Sequence, residues 1–202
     1  MKLAESTREI PVMGPRGRVS RVALLTNIPA PYRLPMFREL GGRYEFQVIF
    51  DAATEPNRSW HVPSDPGFRC VYSKGVAIPY RRRRPDSVDD DRWLQVRYEL
   101  LPSLARFRPD LIVTGEMGPR SLQAMLYARF RGIPLILWWE GTPRTEGWVP
   151  GWKRRLRRYL VRGATRFWAN GRESADLLAS YGALRSQIDE GMIGIDTYEF
   201  AA

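Results

Sequence analysis

The feature that most constrains the fold is an alternation of short apolar runs with longer segments of helical period. Each switch is marked by Gly, Pro or Asn, which is the pattern of successive βαβ units around a parallel sheet. The apolar runs predict strands at 21–26, 46–50, 68–73, 111–114, 135–139, 166–169 and 188–192. The periodic segments predict helices at 32–40, 91–107, 119–131, 152–161 and 172–181. The segment 51–90 is poor in helical period, and we expect long loops around one strand there.

The length of the chain bounds the number of domains. Its 202 residues suffice for one α/β domain with a full core but are short for two. A hydrophobic fraction of 44% with 27% charged residues is typical of a folded globular protein. Residues 1–18 mix charges with Pro and Gly, so we expect a flexible leader followed by the domain.

The charge is strongly basic, with 32 Lys and Arg against 22 Asp and Glu, giving a net charge of +10. Such a charge favours anionic surfaces, whether phospholipid, nucleic acid or sugar phosphate, and does not choose among them. The single cysteine, Cys70, excludes an intramolecular disulfide and predicts a reducing compartment, hence the cytoplasm. The sequence shows no Cys/His cluster with metal-ligand spacing, so we expect no metal. Its longest apolar run, 133–139, is too short to cross a bilayer.

The loops that follow the strands are where a ligand is expected. In an open parallel sheet these loops share one edge, at which ligands bind. They have the sequences NIPAPYR (27–33), GEMGPR (115–120), EGTPR (140–144) and NGRES (170–174). Candidate functional residues are therefore sought in these four loops.

Several blocks of the sequence resemble one family in order and spacing. The run VALLTNIPAPYRLPMFREL (22–40) is similar to the opening of family-4 glycosyltransferases of the GT-B type. The blocks FRPDLIVTG (107–115), RGIPLILWWEGT (131–142) and ATRFWANGRESADLLASYG (164–182) continue the likeness, which covers about 180 residues. The resemblance implies a single Rossmann-like domain with helices on both faces of the sheet, the N-terminal half of a GT-B fold.

The same resemblance implies what these residues do. The domain at 19–192 would bind the acceptor, and 193–202 would begin a linker to a second domain that binds the nucleotide-sugar donor. The donor is a substrate, and no further cofactor is implied. Because the donor domain does not follow within the 202 residues, we expect the isolated chain to be inactive. A separate donor-domain chain is then a conceivable partner.

Glu140 is the candidate catalytic residue, because it follows an apolar strand and precedes Gly141 and Thr142. A carboxylate at a dry strand end can accept the acceptor's hydroxyl proton. An ion pair with Arg144 is an equally good explanation. In retaining enzymes of this type the departing diphosphate can take the proton, and Glu140 would then only position the acceptor.

The remaining acceptor-binding candidates lie in the same loops: Pro31, Tyr32, Arg33, Gly115, Glu116, Arg144, Asn170 and Arg172. The backbone N–H groups of Tyr32 and Arg33 would face an anion at a helix start. Alternatively, Pro31 only sets the turn. Asn170 is also the expected N-cap of the next helix, in a capping box with Glu173. His61 stands alone in a Pro-rich segment and is assigned no role.

The segment GWKRRLRRYLVRG (151–163) predicts a basic amphipathic helix. One stripe would hold Trp152, Leu156, Tyr159, Leu160 and Gly163, with Lys153, Arg154, Arg157 and Arg158 around it. Such a helix can lie on an anionic membrane, which would make the protein peripheral at the inner face. It can equally cover the sheet with a solvated basic face. The basic run 81–84 is expected in a solvated loop, with contact to acceptor phosphate or lipid as the alternative.

Two other functions compete with sugar transfer from a nucleotide sugar to a saccharide, lipid-linked or small-molecule acceptor. A noncatalytic module binding nucleic acid or another anion would explain the charge, although aromatic and basic residues are not interleaved in a nucleic-acid motif. A nucleotide-dependent oxidoreductase would explain the architecture. Its G-x-G-x-x-G turn is absent after the first strand, which argues against it.

Overall fold

The computed structural model describes residues 13–14, 17–54, 65–84, 87–147, 149–192 and 194, and the strands and helices below lie within these ranges. The strands are β1 (Met13–Gly14), β2 (Gly17–Arg18), β3 (Arg21–Thr26), β4 (Glu45–Phe50), β5 (Arg69–Tyr72), β6 (Gly75–Arg84), β7 (Ser87–Arg97), β8 (Leu111–Gly115), β9 (Leu135–Trp139), β10 (Arg166–Ala169) and β11 (Ile188–Glu190). The helices are α1 (Leu34–Arg43), α2 (Leu100–Phe107), α3 (Pro119–Arg131), α4 (Pro143–Glu146), α5 (Gly151–Gly163) and α6 (Arg172–Ser180).

Seven of the strands form one parallel sheet in the order β11-β10-β9-β8-β3-β4-β5. From β3 the chain moves outward through β4 to β5, then returns to the other side of β3 and continues outward from β8 to β11. The direction reverses between β3 and β8, which is the point where open α/β sheets form a ligand crevice at the carboxyl ends of their strands. The predicted Rossmann-like fold is confirmed.

Helices cover both faces of the sheet, as predicted. On one face α1 packs Phe37 among Phe46, Phe50 and Phe68, and the rings of Phe37 and Phe68 meet edge to face at 5.6 Å. On the other face α2, α3, α5 and α6 bury a larger apolar cluster. Its fully buried members include Leu104, Met125, Leu160 and Leu178.

The connection between β5 and α2 differs from the sequence-based expectation. The segment Ser87–Arg97 is not the start of a helix but strand β7, which pairs antiparallel with β6. The basic run 81–84, expected in a loop, belongs to β6. The helical period of 91–107 favours a helix, but pairing across the hairpin, as of Val76 with Val96, stabilises the strand more. The strand preference of a residue depends on such cross-strand partners. Gly75 permits the close approach, because a Cβ there would overlap the carbonyl oxygen of Val96.

The predicted leader and linker are only partly described. Within the leader, β1 and β2 pair antiparallel. Of the predicted linker 193–202, only residue 194 is described, and His61 also lies outside the described residues. None of the helices in the described part of the chain is long and apolar enough to span a bilayer.

Replacing Phe37 with Ala is expected to destabilise the domain by about 3–5 kcal/mol, because it leaves a cavity among three aromatic rings. Phe130 is the matched control, since its ring is 86% exposed on α3. Phe130→Ala should change the free energy of unfolding by at most about 0.5 kcal/mol. Urea unfolding of the two variants measures both values, and equal losses would contradict the assignment of the core.

Candidate functional site

Charged side chains gather at the carboxyl edge of the sheet, which is the edge where β3, β4, β8 and β9 end. Arg33 follows β3, Asp51 follows β4, Glu116 follows β8 and Glu140 follows β9. The strands on either side of the switch point thus each deliver an ionisable group to one edge.

The guanidinium of Arg33 joins the loops that follow β3 and β9. One of its nitrogens donates to Thr26 Oγ1 at 3.2 Å, and another donates to Glu140 Oε1 at 2.5 Å. The group also lies over the ring of Trp138, 4.5 Å from its centroid. A short 3-10 turn at Pro31–Arg33 directs the chain so that this side chain is buried. Two residues nominated from sequence are therefore direct partners.

Glu140 keeps access to solvent while paired with Arg33. Its side chain is 42% exposed, so a ligand can reach it. Partial burial raises the pKa of the Glu140 carboxyl, the neighbouring charge of Glu116 raises it further, and Arg33 opposes both. A carboxylate whose pKa is raised is a stronger base than an ordinary glutamate, which favours proton acceptance.

Glu116 lies in a turn whose backbone is unusual. Its φ of 69° is in the left-handed region, which a non-glycine residue seldom adopts. The turn is held by its backbone N–H, which donates to Trp138 O at 3.3 Å, and by Ser121 Oγ, which donates to Glu116 O at 2.5 Å. The structure thus fixes the residue that follows β8 against the end of β9.

A second buried ion cluster, centred on Asp51, was not foreseen from sequence. Arg120 donates to the Asp51 carboxylate and to Gly115 O, the latter at 2.6 Å, and its guanidinium lies 3.7 Å from the Glu116 carboxylate. Arg97 Nε lies 3.9 Å from Asp51 Oδ1. Burial raises the pKa of Asp51, against the opposing charges of Arg120 and Arg97.

The signal for this cluster was present in the sequence. Asp51 ends the apolar run of β4 at the ligand edge, which is the same reason that Glu140 was nominated. Arg120 is the second residue of α3, where the helix dipole disfavours a cation, so a carboxylate partner is required. Asp51 lies in the segment 51–90, which was expected to form long loops, and Arg120 ends the loop GEMGPR, from which only Gly115 and Glu116 were nominated.

Of the two backbone N–H groups expected to face an anion at the first helix, that of Arg33 is used within the protein. The Arg33 N–H donates to Ala30 O at 2.9 Å, inside the 3-10 turn, so it does not face a ligand. The helix α1 begins at Leu34 rather than at Tyr32. Pro31 and Tyr32 are half-buried beside the site and shape the turn that places the Arg33 side chain.

Glu140 does not pair with Arg144. Arg144 is exposed on α4, and the carboxylate of Glu140 faces Arg33 instead. The short α4 is capped by Thr142, whose side chain and backbone exchange hydrogen bonds with Thr145.

The expected capping box at Asn170 is also not formed. Gly171 is the N-cap of α6, with a φ of 88° that favours glycine, and no side chain caps the helix. Asn170 instead donates its backbone N–H to Trp139 O at 2.9 Å and accepts from Ser174 Oγ at 3.3 Å. Arg172 is exposed at the start of α6.

The basic helix α5 buries part of the predicted stripe: Leu156, Leu160 and Gly163 lie against the core, as predicted. Arg157 is buried, where it pairs with Glu146 and lies 5.1 Å from the centroid of a Trp139 ring. Trp152 and Tyr159, expected in the core, are exposed. The buried residues of the helix are Arg157, Leu160 and Val161. Of the other predicted surface cations, Arg154 and Arg158 are exposed and Lys153 is half-buried.

The sequence of residues 16–189 matches the family model described as Glycosyl transferase 4-like domain. The chain belongs to this family. No curated protein matches the sequence at a significant level.

Solved structures share the fold of this chain. Anabaena Alr3699/HepE in complex with UDP-glucose matches with a TM-score of 0.58 and 12% identity, over 88% of this chain and 45% of that one. The S. aureus MnaA-UDP co-structure matches with a TM-score of 0.56 and 13% identity, over 90% and 48%. UDP-GlcNAc 2-epimerase from Neisseria meningitidis bound to UDP-GlcNAc matches with 0.50 and 16%, over 83% and 44%. The chain therefore spans less than half the length of these structures.

These likenesses concern the fold. The three proteins are described in complex with UDP-glucose, UDP and UDP-GlcNAc respectively. In this glycosyl transferase 4-like domain the ion pairs lie at the carboxyl edge of the sheet, where ligands of open α/β sheets bind. That edge offers a carboxylate, which is accessible to solvent, and buried guanidinium groups. Glu140 can accept a hydrogen bond or a proton, and the buried arginines hold the surrounding loops.

Replacing Asp51 with Ala is expected to cost about 3–5 kcal/mol of stability, because the guanidiniums of Arg120 and Arg97 stay buried without their carboxylate. Asp189→Ala is the matched control. It removes an exposed carboxylate paired with Arg166 at 3.0 Å and should cost less than about 1 kcal/mol. Denaturant unfolding compares the two losses. If Asp51→Ala is no more destabilising than the control, the cluster does not hold the edge together.

Proposed function

We propose that this domain binds the acceptor in a nucleotide-sugar-dependent glycosyltransferase of the hexosyltransferase type. The observation that carries the proposal is the Arg33–Glu140 pair at the switch point of a glycosyl transferase 4-like domain. The acceptor would be a saccharide, a lipid-linked sugar or a small hydroxyl compound, and the reaction would retain the configuration of the transferred sugar.

Glu140 would face the acceptor hydroxyl. Its exposed carboxylate oxygen can accept the hydroxyl hydrogen bond while Arg33 holds the other side of the group in place. In one version Glu140 takes the proton as the new glycosidic bond forms. In the other, the departing diphosphate takes the proton, and Glu140 only orients the hydroxyl. Both versions require the carboxylate to be ionised when the acceptor binds.

The donor would be bound mainly by protein structure additional to these 202 residues. Supporting this, the chain spans 45% of the Anabaena structure that contains UDP-glucose. The donor side would come from the same polypeptide or from a separate donor-domain chain, and the reaction would take place in the cytoplasm. Catalysis depends on holding both reactants in attack geometry, an effect of about 7–11 kcal/mol, so this domain by itself would transfer essentially no sugar.

We expect Glu140→Gln to lower the transfer rate of the full-length protein about 100-fold or more if the residue is the base. The pH dependence gives a second readout. Because the pKa of Glu140 is raised, the parental rate should fall on acidification at a pH above the ordinary range of glutamate. That acidic limb should disappear in Glu140→Gln.

Glu39→Gln is the control, since it removes an exposed carboxylate on α1. It should leave the rate and its acidic limb unchanged. A loss confined to KM in Glu140→Gln would assign Glu140 to orientation of the acceptor. Parental kcat, KM and pH profile in that variant would remove Glu140 from the site.

A further inference from the structure

Three neighbouring helices carry a charge pattern that the acceptor site does not use. The helices α2, α3 and α5 contain ten basic residues and no acidic residue: one on α2, three on α3 and six on α5. The net charge of the whole chain is also +10. The rest of the chain is therefore balanced overall, and the excess positive charge is concentrated on one layer of helices.

These three helices form a continuous surface on one face of the sheet. Tyr127 of α3 donates its hydroxyl to Leu104 O of α2 at 3.0 Å. At the other side of α3, Gly163 of α5 lies directly against Met125, because a Cβ there would overlap the Met125 sulfur. We call the solvent-facing side of α2, α3 and α5 the basic helical face.

Most of the ten cations reach solvent on this face. Arg120 and Arg157 are buried and pair with internal carboxylates, as described above. Arg131 and Lys153 are half-buried. The remaining six are exposed: Arg106, Arg129, Arg154, Arg155, Arg158 and Arg162.

Large apolar side chains project from the same three helices. Phe130 is 86% exposed and follows the exposed Leu126 by one turn of α3. Trp152, 61% exposed, precedes the exposed Tyr159 by two turns of α5, and Leu101 is exposed on α2. Exposed aromatic and aliphatic groups in one region of a folded domain indicate an interaction surface.

We infer that the basic helical face docks on the surface of an anionic lipid bilayer. Clustered Arg and Lys are attracted to acidic headgroups, while aromatic and Leu side chains enter the boundary between headgroups and acyl chains. A nucleic acid would use the cations, but its phosphate backbone gives aliphatic groups such as Leu101 and Leu126 nothing to enter. The bilayer is the occupant that uses both components of the face.

The inference differs from the hypothesis of a single membrane-binding helix. The buried Arg157 takes no part, while Leu126 and Phe130 of α3 contribute apolar groups that the helical period of α5 does not reveal. The inference does not rest on the proposed transfer reaction, because lipid binding can be measured without activity.

The test is flotation of the full chain with vesicles of equimolar phosphatidylcholine and phosphatidylglycerol. Parental protein should float with these vesicles at low salt, be released at high salt, and not float with phosphatidylcholine alone. Neutralising Arg154, Arg155 and Arg158 to Gln should weaken binding at least about tenfold. The matched control neutralises Arg43, Lys74 and Arg185, which are exposed elsewhere, and should change binding less than about twofold despite an equal loss of charge.

A second pair of variants tests the apolar component. Phe130→Ser with Trp152→Ser should weaken binding and make the remainder easier to release with salt, whereas Leu184→Ser with Met192→Ser, also exposed, should not. Absence of parental flotation, or equal losses in variant and control, would overturn the inference. Duplex DNA binding that depends on the same three arginines, without vesicle binding, would replace it with a nucleic-acid surface. Thermal unfolding confirms that each exposed substitution leaves the domain folded.

Discussion

The buried guanidinium of Arg33 is the interaction on which the carboxyl edge depends. Removing a charge from water costs several kcal/mol unless a partner and hydrogen bonds compensate it. Thr26, Glu140 and the face of Trp138 supply that compensation from two different strands. The loops after β3 and β9 therefore have one arrangement in which the charge is satisfied, and this arrangement places Glu140 at the switch point.

Other buried arginines of the domain are also paired with carboxylates. Arg120 and Arg97 share Asp51 where β4 and β8 end, and Arg157 pairs with Glu146 behind β9. The pairs of Asp51 with Arg97 and Arg120 join segments that are distant in sequence, so directional charge contacts hold the edge while the sheet and helices supply apolar burial. Replacing one partner leaves a buried charge without compensation, so single substitutions at this edge should lower the free energy of unfolding substantially.

Sequence patterns predicted the strands and helices that follow a local period of apolar residues. They failed for elements and side-chain pairs whose position depends on a residue elsewhere in the chain. Strands β9 and β10 and helix α3 begin and end at the predicted residues, because apolar runs and a terminal glycine mark them. The hairpin of β6 and β7 was missed, since its stability comes from cross-strand pairing. Sequence reasoning nominated Arg33 and Glu140 separately but could not join residues 107 positions apart. The helical period of α5 placed Leu160 correctly on the core side, but it did not predict the buried Arg157, whose partner Glu146 lies outside the helix.

The most direct test is the ionisation of Glu140, followed by carbon NMR of its side-chain carboxyl during a pH titration. The account predicts a pKa above the ordinary range of glutamate, because partial burial and Glu116 outweigh Arg33. It also predicts that Glu116→Gln lowers this pKa, since a neighbouring negative charge is removed. An ordinary or lowered pKa that does not respond to Glu116→Gln would contradict the proposed arrangement of the carboxyl edge.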